Sequence, residues 1–61
     1  MNQKQKDRAE CCFKLMEYDQ LTDPQHDLII KYEKQFEEKG WLSDRQMEVL
    51  EDIFKQAAEK A

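Results

Sequence analysis

The chain has 61 residues, a formal net charge of −4, and equal hydrophobic and charged shares of 39%. A chain this short makes one domain at most and hides only about 60% of the surface that its unfolded form exposes. Its longest apolar runs, CCF and LII, are three residues long, against about 20 for a membrane span and about 7–15 for a secretory core, so no membrane site is expected and the cytoplasm is the default location.

The charge is uneven. Residues 1–16 carry Lys4, Lys6, Arg8 and Lys14 against Asp7 and Glu10, whereas residues 17–61 carry six basic and twelve acidic groups. A body that binds nucleic acid shows the opposite balance. The β-branched residues are few (Thr22, Ile29, Ile30, Val49 and Ile53), there is one Gly and one Pro, and Leu, Met, Ala, Glu, Lys and Gln dominate. This composition favours helix over strand.

The first predicted helix covers about residues 3–18, on a stripe of Ala9, Cys12, Phe13 and Met16 with Leu15 beside it. The opening MNQKQKDRAE reads as a charged helix start and not as a targeting signal. Cys11 and Cys12 are adjacent, and neighbouring α-carbons lie about 3.8 Å apart, less than the roughly 4.4–6.8 Å that a disulfide spans. Cys12 is expected as a small core residue and Cys11 near the surface or in an interface, both as free thiols. The segment EYDQ then breaks the pattern.

The second predicted helix covers about 23–39. In LTDPQ, Thr22 is placed to cap the free amides and Gln25, three residues on, to reach back to the cap residue's own amide, the arrangement of a capping box. Asp23 as the cap with Pro24 at the first helical position fits the same residues. The apolar stripe is Leu28, Ile29, Tyr32 and Phe36. Gly40 in EEKGWL falls where a left-handed residue closes a helix, so a Schellman motif is expected, with Trp41 folded back toward Phe36.

The third predicted helix covers about 43–59. LSDRQ, twenty-one residues after LTDPQ, repeats its device with Ser43 and Gln46, and Leu42 and Met47 are placed as a hydrophobic staple. Met47, Leu50, Ile53, Phe54 and Ala57 form the stripe. So short a linker joins an antiparallel or sharply angled helix pair. The fold expected over 1–61 is all-α: a small three-helix bundle built on an antiparallel hairpin of the second and third helices. A hairpin with a loose first helix, completed by a partner or a second copy, is the alternative.

Catalytic chemistry has few candidates. His26 is the only histidine and belongs to the first turn of the second helix, where a surface or staple role is expected. Asp44, Glu48 and Asp52 make an acidic strip that reads as a solvated face. Two cysteines and one histidine do not make a zinc framework, the single Gly is a helix stop and not a phosphate loop, and EEKGWLSD lacks the ligands of a calcium-binding loop. No catalytic residue, cofactor or metal is expected. The outward positions of the third helix (Arg45, Glu48, Glu51, Asp52, Lys55 and Glu59) repel phosphate, which leaves Lys4, Lys6 and Arg8 as the candidates for a weak, salt-sensitive nucleic-acid contact. Ile30 and Val49 fall beside or off the stripes and, with Trp41, form the candidate partner patch.

The pattern L-[ST]-D-x-Q, a helix ending in Lys-Gly-Trp, and GWLSDRQMEVLEDIF resemble the short helical segments attached to, or encoded beside, phage and bacterial DNA-processing enzymes. They are similar to the family of the small helical protein encoded next to the UvsW recombination helicase of T4-type phages. The resemblance covers about Leu21 to Phe54. It implies a non-catalytic accessory role in DNA replication, recombination or repair, in the host cytoplasm if phage-encoded. The partner it implies is a protein, a helicase or another DNA-processing enzyme. The acidic body favours such docking over direct DNA binding. Self-association into a homo-oligomer is the other expectation, since a core of this size rarely supplies more than about 3–5 kcal/mol.

Overall fold

A computed structural model describes residues 2–60. They form three α-helices, α1 (Gln3–Leu15), α2 (Asp23–Lys39) and α3 (Asp44–Lys60), with a 3-10 turn at Tyr18–Gln20 between the first two. No strand occurs among the described residues, and the molecule is a three-helix bundle with extents of 30 × 19 × 18 Å.

Each helix begins with the same device. Thr22 Oγ1 accepts from the Gln25 amide and Gln25 Oε1 accepts from the Thr22 amide, so Thr22, not Asp23, is the cap and Pro24 lies inside the first turn. Ser43 and Gln46 make the same exchange at α3. Asn2 and Gln5 make it at α1, a capping box that the sequence reading did not assign. Asn ranks with Ser and Asp as a cap and Gln serves at the third helical position.

The first helix is shorter than its apolar stripe predicts, ending at Leu15 and not near residue 18. Met16 turns extended (φ −60°, ψ 131°) and drops its thioether into the core, where it is buried. The Tyr18 hydroxyl then comes within 3.2 Å of the Phe13 carbonyl, one of the last-turn carbonyls that a helix leaves without an internal partner. It lies 3.1 Å from Glu33 Oε2 on α2, so its single hydrogen is shared between two acceptors.

The closure of α2 also differs in detail from expectation. Gly40 is left-handed (φ 76°, ψ 14°) and its amide donates to the Phe36 carbonyl at 2.8 Å. That single bond is the αL closure, not the paired bonds of the Schellman motif. Trp41 is therefore not tied to α2 by its own amide. Its carbonyl accepts from Gln35 Nε2 at 3.3 Å, and the residue stays 46% exposed.

The hairpin is antiparallel. Gln25 pairs with Gln56 near the start of α2 and Gln35 with Gln46 ten residues later, so one partner advances as the other retreats. α1 reaches α3 through Arg8 and Glu51 and α2 through Phe13 and Phe36.

α3 is the central element: α1, the 3-10 turn and α2 all pack on it. It supplies Met47, Leu50, Ile53 and Ala57 to the core, α1 supplies Ala9, Cys12 and Phe13, and α2 supplies Ile29. Leu42 is buried with Met47 in the same cluster, as the staple predicts. Leu28, Tyr32 and Phe36 of α2 are half-buried around this centre. Burial of apolar area at roughly 25 cal/mol per Å² is the main favourable term.

Candidate functional site

Two surfaces stand apart from an otherwise solvated exterior. The first is the α2–α3 turn. Gly40 sets the reversal, Leu42 is buried immediately after it, and Trp41 between them has its carbonyl bonded and its ring half in solvent. Lys39 Nζ stands 6.0 Å from the ring centre, at the outer limit of a cation–π contact. Trp41 is thus a large apolar side chain on a braced backbone.

Ile30 is 49% exposed on α2. It lies ten residues before Gly40, about 15 Å along the helix axis, so it does not form one compact patch with Trp41. Val49 is half-buried, packed against the core. It lines a groove to which neither Ile30 nor Trp41 contributes. The three candidate partner residues therefore lie at separate places on the bundle.

That groove, between α1 and α3, is the second surface. It is open and has a volume of about 1110 Å³. Leu15, 59% exposed, and the exposed thiol Cys11 lie on its α1 side, and Phe54 and Ala58 on its α3 side. Arg8 crosses it to pair with Glu51. Glu48 and Asp52 continue the α3 rim, with Arg45 Nη1 3.8 Å from Glu48 and Asp52 accepting from Gln56 at 3.1 Å.

The sequence reading did not identify this groove. Its signal is a second row on α1: Lys4, Arg8, Cys11 and Leu15 are spaced by four, three and four residues, one helical face beside the buried stripe. Leu15 was visible next to that stripe, but sequence spacing does not show that α3 leaves this flank uncovered.

The basic residues of α1 do not make one cluster. Lys4 and Arg8 share a face, but Lys6 is two residues from each and points to a different side, since residues two apart do not face one another. Lys6 is half-buried, Lys4 is exposed, and the Arg8 guanidinium is engaged by Glu51.

Two ionisable groups among the described residues are displaced from their ordinary range. The Cys12 thiol is pushed up, first by burial, with Arg8 acting against it and Cys11 with it. The Tyr18 phenol is pushed up to about 12, first by burial and then by its hydrogen bond and charge repulsion with Glu33. Both shifts hold the groups neutral. His26 lies edge-on to Tyr18 with ring centres 5.9 Å apart. Among the described residues no three His, Cys, Asp or Glu side chains converge on a metal-sized site, and no helix is long and apolar enough to cross a membrane.

Comparison of the chain with protein-family models, curated proteins and solved structures finds no match.

Proposed function

We propose that this chain is a non-catalytic accessory module that docks on a protein of a phage-type DNA-processing system, a helicase or a related enzyme, with Trp41 as the anchor. The observation that carries this reading is the half-exposed indole of Trp41 on a backbone held from both sides by Gly40 and Leu42. Tryptophan dominates binding hot spots because it buries a large area at small conformational cost. A residue whose backbone is already held loses less further freedom on binding. The resemblance over Leu21 to Phe54 supplies the class of partner. The acidic body and the separation of Lys6 from Lys4 and Arg8 weigh against direct nucleic-acid binding.

The test is affinity capture from the native host, comparing wild type with Trp41→Ala. The expected result is a DNA-processing enzyme retained by the wild type and lost by the variant, with both equally helical by circular dichroism. Trp41 is the only tryptophan, so adding the purified enzyme should also shift its fluorescence to the blue. Equal capture by both proteins, or an unshifted spectrum at saturating enzyme, would overturn the reading.

A further inference from the structure

We infer that Gln35 is the positioning residue of the Trp41 anchor, its side-chain amide holding the backbone from which the indole projects. The consequence for docking rests on the reading above, and the hold on Trp41 stands without it.

The polarity of the contact is dictated from the cap of α3. A glutamine side chain has one accepting end and one donating end, and the network around it decides which is which. The Ser43 backbone amide can only donate, so the end of Gln46 that meets it at 2.9 Å is Oε1. Gln46 Nε2 then donates to Gln35 Oε1 at 2.9 Å. That leaves Gln35 Nε2, with two hydrogens, facing two acceptors: Gln46 Oε1 at 3.0 Å and the Trp41 carbonyl at 3.3 Å. Turning either side-chain amide over would set acceptor against acceptor or donor against donor.

The bond reaches the part of Trp41 that nothing else fixes. Gly40 is held ahead of it, with its amide 2.8 Å from the Phe36 carbonyl, and Leu42 is buried behind it. A residue has two soft backbone dihedrals, and the direction of its carbonyl follows from ψ. The Gln35 bond therefore restrains ψ of Trp41. Gln35 lies at the half-buried foot of the turn, while Trp41 is exposed. It acts through the backbone of Trp41, and its effect on docking is carried by the indole.

Two variants separate this role from general stability. Gln35→Glu keeps an acceptor for Gln46 Nε2 but has no hydrogen for the Trp41 carbonyl at neutral pH. Gln35→Met removes both bonds without adding a charge. Glutamate and methionine both suit a helix, and circular dichroism should show α2 intact. Nitrogen-15 relaxation of the free chain is the first readout. The backbone order parameter of Trp41 should lie near the value of about 0.85 for rigid backbone in the wild type and fall toward about 0.6 in both variants, with Leu50 unchanged. The second readout is titration of the purified enzyme that the wild type retains from its host. Both variants should bind it about three- to tenfold more weakly, the range for one hydrogen bond. A Trp41 backbone as ordered in both variants as in the wild type would overturn the inference, and so would unchanged affinity in both. If the wild type retains no enzyme, the docking reading alone falls, and the Trp41 order parameter still decides the role of Gln35.

Discussion

Gln35 and Gln46 exchange two side-chain hydrogen bonds, amide to carbonyl in each direction, at 3.0 and 2.9 Å. Gln46 Oε1 also accepts from the Ser43 amide at 2.9 Å, and Gln35 Nε2 reaches the Trp41 carbonyl at 3.3 Å. One pair of glutamines thus ties the end of α2, the turn and the cap of α3 together. Gln46→Ala removes both the cap's return bond and the partner of Gln35. It should cost about 1–2 kcal/mol, the usual range for a lost cap or an unpaired half-buried amide. A double-mutant cycle with Gln35→Ala, read by urea unfolding, should return a coupling of about 0.5 kcal/mol or more. Additive losses would show that the two glutamines act separately.

Gly40 isolates a purely backbone effect. A Cβ built there meets nothing within 4 Å, yet φ is +76°. Gly40→Ala therefore pays no steric cost to neighbours and should lose about 1–2 kcal/mol through the left-handed conformation alone. For a domain of this size that corresponds to a fall in Tm of about 4–8 °C per kcal/mol. Gly40→Asn should lose less, because asparagine tolerates this region better than alanine does. Equal losses for the two would point to a contact that the geometry lacks.

Tyr18 gives an alkaline dependence with a definite sign. Its phenol is held neutral in the fold, with a pKa pushed up from 10.0 to about 12, first by burial and then by Glu33. Between these values the folded protein keeps a proton that the unfolded chain has lost. The contribution is fully present below pH 10 and disappears as pH rises toward 12. Tyr18→Phe should cost about 1 kcal/mol at neutral pH through the lost hydroxyl bonds. It should also flatten the decline of stability between pH 10 and 12 relative to wild type. Parallel decline of both proteins in thermal melts across that window would show that the phenol does not carry it.

How legible this fold was depends on where each signal resides. The capping boxes at Thr22–Gln25 and Ser43–Gln46 are local in sequence and were read from it, as was the reversal at Gly40. The equivalent Asn2–Gln5 box carries the same spacing, but lies amid charged residues with no apolar pattern to frame it. The end of α1 was misplaced for a different reason. Met16 continues the apolar period of Ala9, Cys12 and Phe13, and it reaches the same core from an extended backbone. Periodicity reports burial and not the conformation that achieves it. The groove was hidden for a third reason. Whether Leu15 is covered depends on where α3 crosses α1, a tertiary relation that no local spacing encodes. Val49 shows the converse, since an off-stripe position proves to be packed on the core.

Leu50 and Leu15 test the division between core and groove directly. Leu50, at 0% exposure, sits at the centre of α3, whereas Leu15 is 59% exposed on the flank of α1. Leu50→Ala removes apolar volume from the middle of the cluster and leaves a cavity that surrounding side chains fill only in part, so it should cost about 2–5 kcal/mol. That equals most or all of the roughly 3–5 kcal/mol that a core of this size supplies. The variant should be largely unfolded at 25 °C by circular dichroism, and refold on addition of a stabilising osmolyte. Leu15→Ser exposes no core surface and keeps α1 helical, so in dilute solution its stability should stay within about 0.5 kcal/mol of wild type. Urea midpoints of the two variants separate the two roles. A large Leu15→Ser loss would mean that this flank belongs to the folded core of the chain.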